Sequence, residues 1–212
     1  MNRLTYIEMI RRQIYGGQPS DDATITVNLV NKWLNFGVAI AAKQNYKESV
    51  ALDGVNYVNN SFYTTFKGLT VTKDENFLWK VELPQIPLGI GTSSGISTLE
   101  FKDSETNQIS FPVIWLSQNQ KSYQRGMRQI PNKLLAYSEG NSVYVLSTIQ
   151  LSQYTATATM ISGGLDTDLT SNINVPDDYF SIVCDYIRQQ LMIERSVTKD
   201  VTNDGEDFLK TT

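Results

Sequence analysis

The sequence predicts an α+β fold in which helices from both ends of the chain form one platform and carry a mostly antiparallel β-rich middle. Three observations predict it. Apolar residues recur at helical spacing from Leu4 to Ala41. The same spacing returns after Pro176. Between Phe62 and Ile161 the texture changes to short runs rich in Val, Ile, Thr and aromatic residues, separated by polar or glycine turns, which is the pattern of strands.

Leu4, Ile7, Ile10 and Ile14 define a first helix over about Asn2–Tyr15. Glu8 stands three residues after Thr5, the spacing of a capping box, and Asn2 is an alternative start. Gly16 and Gly17 supply the left-handed cap that ends the helix. Pro19 delays the next one. Ser20 or Asp21 can cap it, with Asp21 and Asp22 against the positive end of its dipole. Leu29, Trp33 and Gly37 form one row, and Val30, Leu34, Val38 and Ala41 the next, an apolar stripe that ends near Asn45. The β-branched residues from Thr24 to Val27 weaken the start of this helix. The joining segment "GGQPSDD" is therefore a corner. A phosphate loop would need a strand before it and a Lys followed by Ser or Thr after the glycines, and the sequence has neither there.

In the middle, "SFYTTFKGLTVT", "NFLWKVEL", "STLEF", "ISFPVIWL", "KLLAYSEGNSVYVLS" and "YTATATMI" read as strands. Gly140-Asn141 forms the tip of the clearest hairpin. "LPQIPLGIGTSSG" is a loop, expected to be ordered around Ile86 and Leu88. Phe180, Cys184, Ile187 and Leu191, widened by Val183, then define a last helix to about Ser196. Pro176 suits its first position, and Asp177 and Asp178 its first turn. The chain thus divides into an N-terminal helical part (1–50), a β-rich insert (60–165), a C-terminal helix joining the helical part (175–198) and an extended polar tail (199–212). No internal repeat or low-complexity linker interrupts it.

Composition narrows the chemistry. A chain of 212 residues with 41% hydrophobic and 19% charged residues can bury a core. The net charge of -4 offers no general attraction to nucleic acid. There is no histidine, which removes the commonest general base and every His ligand. Cys184 is the single cysteine, so neither an intrachain disulfide nor a cysteine zinc site can form. No window approaches about 18 apolar residues, and Glu8 and the arginines break up the N-terminal apolar run, so neither a membrane span nor a secretory signal is expected. A protein of a reducing compartment fits these features.

The remaining motifs have structural explanations. Gly89–Gly95 leads into a strand, whereas a dinucleotide loop opens a helix. Asp200 and Asp204 resemble half of a calcium loop, but Thr211 stands where a bidentate Glu is needed. Asp166 and Asp168 read as a polar turn, and Asp21/Asp22 and Asp177/Asp178 as helix starts. Cys184, Trp33, Trp79 and Trp115 read as core, with an interface the alternative for Trp79 and Trp115. No enzyme activity, metal or cofactor is expected. Lys121, Arg125, Arg128 and Lys133 form a basic stretch free of acids, suited to a solvated surface, DNA phosphates or an acidic neighbouring subunit.

The order of a helix, the "YGGQPSDD" corner, a long second helix ending "AAKQNY", a β-rich middle and then "VPDDYFSIVCDYIRQQLMIERSVTKDVTNDGEDF" resembles the ring, or adaptor, proteins of the head-to-tail connector in crAss-like podovirus-type tailed bacteriophages. The resemblance is most specific at residues 11–46 and 175–208. The large β middle departs from the largely helical pattern of related adaptors. The resemblance implies a structural virion protein in the portal–tail neck, assembled in the host cytoplasm. It would form a homo-oligomeric ring, commonly twelvefold, beneath the portal protein. The ring would extend the DNA channel, let the genome pass without sequence-specific binding, and dock further neck and tail proteins. The residues expected to meet the portal or a neighbouring subunit are Lys121, Arg125, Arg128, Lys133, Asp204, Phe208 and Leu209. The alternative is a carbohydrate- or receptor-binding β module of a tail or surface protein, favoured if Trp79 or Trp115 is exposed. A hydrolase using paired carboxylates is a third reading.

Overall fold

Asn2 opens the first helix. Its side chain accepts the Thr5 N–H at 2.8 Å, and α1 runs over Arg3–Tyr15. The structure, a computed structural model, describes residues 2–18, 25–74, 78–90, 95–103, 113–117, 134–147, 149–163 and 168–198, with side chains to residue 193. Gly16 ends α1 at a φ of 68°, and the Gly17 N–H returns to the Arg12 carbonyl at 2.9 Å. On the far side of the corner, Ile25 is buried. Its N–H donates to the Tyr15 hydroxyl and its carbonyl accepts from Arg11 Nε, both at 2.9 Å, which ties the start of the second helix to α1.

The second helix, α2, spans Val27–Asp53, and both of its expected ends are corrected. It starts at Thr26, whose Oγ1 accepts the Leu29 N–H at 3.2 Å, and not at Ser20 or Asp21, which lie outside the described residues. A β-branched residue is disfavoured inside a helix and useful as its cap, so the start falls within the Thr24–Val27 run. The helix also continues past Asn45 to Gly54, where φ is 65°. Asn45 and Glu48 interrupt the apolar stripe because they make hydrogen bonds on the inner side of the helix.

At the other end of the chain, Pro176 is extended. A 3-10 turn at Asp177–Tyr179, with both aspartates in it, leads into α3 (Phe180–Thr198). Pro176 therefore precedes the helical residues instead of occupying the first of them. Ile7 and Ile10 of α1, Val30, Leu34, Val38 and Ala41 of α2, and Val183, Ile187 and Leu191 of α3 are buried in one core. A β-carbon at Gly37 would lie 2.9 Å from Val183 Cγ1, so glycine is what lets α2 and α3 approach there. The start of α1 is also held by backbone bonds from Arg3 N–H to Ser171 O (2.8 Å) and Leu4 N–H to Leu169 O (2.9 Å). Helices from both ends therefore share one platform, and the β-rich middle is inserted between α2 and α3.

The insert is a seven-stranded sheet: β1 (Tyr63–Lys73), β2 (Trp79–Glu82), β3 (Ile96–Asp103), β4 (Val113–Trp115), β5 (Leu134–Glu139), β6 (Ser142–Leu146) and β7 (Tyr154–Ile161). Its order is β3-β7-β1-β2-β6-β5-β4, antiparallel except for the β4–β5 pair. Gly140-Asn141 closes the β5–β6 hairpin. β1 lies against β7 over its first part and against β2 at its end, with an irregularity between Phe66 and Leu69 that contains Gly68. Such a bulge bends a strand and increases its twist. The sheet curls until its edge strands β3 and β4 bring Cα atoms within 8 Å of each other. Trp79, Val81, Leu99, Phe101, Leu134, Val143, Val145, Ala156 and Met160 fill a second core on its inner side.

The two cores meet at the mouth of the curled sheet. Phe62 and Ile161 belong to the helical core, as does Ile90, and Leu88 packs against it. This corrects the expected anchor of the loop after β2: Ile86 is 66% exposed, and Leu88 and Ile90 hold the loop down. Among the described residues no helix is long and apolar enough to cross a membrane.

Candidate interaction surface

The residues expected from sequence to meet a portal or neighbour, namely Lys121, Arg125, Arg128, Lys133, Asp204, Phe208 and Leu209, all lie outside the described residues. So do Asp21, Asp22, Asp166 and Asp200. Trp79 is buried in the sheet core, and Trp115 is half-buried against it. Cys184 is buried. Loss of water around it, with Asp185 nearby, pushes its thiol up to about 12, so it is a packing group and not a nucleophile. Asp168 accepts from the Thr170 hydroxyl and backbone N–H, which hold its carboxyl below the usual range and close a polar turn. Among the described residues no three acidic or cysteine side chains gather as a metal set.

What stands out is the outer side of α2. The core takes Val30, Leu34, Val38 and Ala41, and the opposite side carries Lys32, Phe36, Ile40, Lys43 and Lys47 at helical spacing. Phe36 is 53% exposed and Ile40 38%. The rings of Phe36 and half-buried Trp33 lie 5.8 Å apart, and Lys32 Nζ sits 5.6 Å from the Trp33 ring, a cation–π arrangement. Gly37, where Tyr186 and Val183 of α3 come close, borders this cluster.

A second exposed apolar group sits at the far end of the same helix. Leu52 is 82% exposed, and Val55 and Tyr57 stand clear of the surface beside exposed Asp53. This knob is held in shape. Gly54 N–H bonds to Val50 O (3.1 Å), Tyr46 hydroxyl to Asn56 Oδ1 (3.1 Å), and Asn59 N–H to Asn45 Oδ1 (2.8 Å).

Asn45 also reaches the 3-10 turn that leads into α3. Its Nδ2 donates to the Tyr179 hydroxyl at 2.9 Å, and Tyr179 in turn donates to the Glu48 carboxylate, which also accepts from Gln44 Nε2 at 2.9 Å. The Tyr179 bond, then the Gln44 bond, hold the Glu48 carboxyl below its ordinary value. A carboxylate whose value is lowered by folding adds stability that is complete above the ordinary carboxylate range and is lost as pH falls through the lowered value. Tyr179→Phe is therefore expected to flatten the acid limb of the stability curve between about pH 5 and pH 3. Urea denaturation of both proteins across that range measures it, and parallel curves would contradict the assignment.

No protein-family model and no curated protein matches the chain. The surface cluster was nonetheless visible in the sequence as a second apolar row on one helix. Leu29, Trp33, Phe36 and Ile40 follow each other at intervals of three or four, displaced from the core row. Reading only the widest stripe hides it.

Proposed function

We propose that the chain is a structural virion protein, a ring subunit of the portal–tail neck in the crAss-like podovirus-type connector family. The exposure of Phe36 and Ile40 carries this reading. The helical platform fills its core without them, and an apolar cluster ringed by lysines on a rigid helix is a surface suited to a partner. A platform built from both ends of the chain, with a sheet inserted between, offers separate faces for neighbouring subunits, the portal and later tail proteins. The resemblance at residues 11–46 and 175–208 supplies the ring, commonly of twelve copies, and its place under the portal. An acidic balance of -4 suits a channel through which DNA passes without sticking.

In this reading the basic stretch Lys121–Lys133 meets an acidic neighbour, and the tail with Asp204, Phe208 and Leu209 meets the portal. The competing reading, a carbohydrate- or receptor-binding β module, needs exposed tryptophan. Burial of Trp79 counts against it and leaves it with half-buried Trp115 alone. Mixing the purified chain with its portal protein and weighing the product tests the proposal. A complex holding a ring's worth of copies is expected, and two separate species would overturn it.

A further inference from the structure

We infer that α2 carries both halves of a head-to-tail contact between copies of this chain. The Leu52–Tyr57 knob of one copy seats on the Lys32–Lys47 face of the next. The inference deepens the ring reading and rests on it for closure of the contacts into a ring.

Charge is divided along α2. Every lysine of α2 (Lys32, Lys43 and Lys47) precedes both of its acids, Glu48 and Asp53. Its first turn holds no acid and its last turn no base. A helix dipole favours the reverse arrangement, so this pattern does not serve the isolated helix. It leaves a basic face in the middle and an acidic tip, where the helix's last carbonyls add negative charge. The apolar groups follow the same division: Phe36 and Ile40 lie among the lysines, and Leu52, Val55 and Tyr57 beside Asp53. Each surface has an apolar patch and the charge that the other lacks.

Ile40 and Leu52 are separated by about 18 Å of helix at 1.5 Å per residue. The face lies along α2, and the knob is fixed to its last turn and Gly54 cap, so a copy cannot seat its knob on its own face. Two different patches that complement each other form a heterologous contact, which propagates from copy to copy and can close into a ring. The bonds from Tyr46, Gly54 and Asn59 shape the knob before it binds, so less ordering is needed on contact. Phe36 is the central anchor, and the lysines make the contact sensitive to salt.

Sedimentation velocity on the full chain tests the inference with two variants at exposed positions. One alters the face (Phe36→Ser with Lys43→Glu), the other the knob (Leu52→Ser with Asp53→Ser). Circular dichroism melts matching the wild type establish that both fold. Wild-type protein is expected to associate, and more tightly at low salt. Each variant alone should associate about thirtyfold more weakly or worse. Mixed together, they should form one-to-one pairs and nothing larger, because one intact knob and one intact face remain. Wild-type protein that stays monomeric, variants that associate normally, or a mixture that does not pair would each overturn the inference. So would a face variant that loses only its portal contact, since the occupant would then be the portal. If the variants still form rings on the portal, this contact is refuted and the ring reading stands. If the wild type makes no portal complex, the ring reading fails whatever the variants do.

Discussion

Arg3→Ala is expected to lower the unfolding free energy by about 3–5 kcal/mol, from hydrogen-bond acceptors left without their donor and the void left by a large buried side chain. Arg3 is fully buried, which is rare for a guanidinium. Its Nε donates to Asn31 Oδ1 at 2.5 Å, Nη1 to the Gly163 carbonyl at 2.7 Å, and Nη2 to Asn35 Oδ1 at 3.1 Å. One side chain therefore links α1, α2 and the segment leaving β7. Removing it takes the donor from the buried Gly163 carbonyl and the half-buried Asn31 and Asn35 oxygens and leaves a void. The backbone at Gly163 is close to Asn35: a β-carbon there would lie 2.2 Å from Asn35 Oδ1. Arg3→Lys should recover less than half of the loss, because a single ammonium cannot span three acceptors held by a planar fork. Urea denaturation measures both variants, with Arg12→Ala on the exposed side of α1 as a control expected within about 0.5 kcal/mol of wild type. A loss below about 1 kcal/mol for Arg3→Ala would mean that the network contributes little net stability.

Gly95→Ala is expected to cost about 2–5 kcal/mol, from a left-handed backbone and an overlap that cannot relax cheaply. Gly95 has a φ of 80°, and a β-carbon there would lie 2.3 Å from the Leu88 carbonyl oxygen and 2.6 Å from its carbon. Both obstacles are backbone. They are also fixed in place: Ile161 N–H donates to Gly95 O at 2.9 Å, and Leu88 N–H donates to Ile161 O at 3.0 Å. This crossing is where the curled sheet meets the helical core, so the strain falls on the junction of the two. Gly140→Asn is the contrasting variant. Gly140 also has a positive φ, of 61°, but no atom within 4 Å of an added β-carbon, and asparagine tolerates this conformation. It should cost less than about 1 kcal/mol. Equal losses at the two glycines, read from thermal melts, would show that backbone conformation alone matters and the crossing does not.

Much of the architecture is written in local patterns. Helical spacing located α1 and α3, and alternation with turn residues located all seven strands. Gly16 and the Gly140-Asn141 tip fell where left-handed conformations were needed. Polar residues employed inside the fold account for part of what spacing hides. Asn45 and Glu48 looked like the end of an apolar stripe because they bond inward, to Asn59 and Tyr179, so α2 was read too short. No neighbour in sequence announces that Arg3 bonds Asn31, Asn35 and Gly163. Curling of the sheet and the parallel β4–β5 pair depend on partners far apart in sequence, which spacing does not encode. The α2 surface was half legible. The apolar row could be read, but its exposure follows only from knowing which row α1 and α3 cover.

The shared platform also constrains how the polypeptide can be made. α1 and α2 expose their inner faces until α3 is synthesised, and the whole of the curled sheet lies between. At about 5–20 residues per second, the wait between Asp53 and Phe180 is roughly 6–25 s. The sheet has its own core and can mature first, whereas the platform cannot finish before α3 has been made. The surface around Gly37, which Val183 and Tyr186 of α3 complete, is thus acquired late.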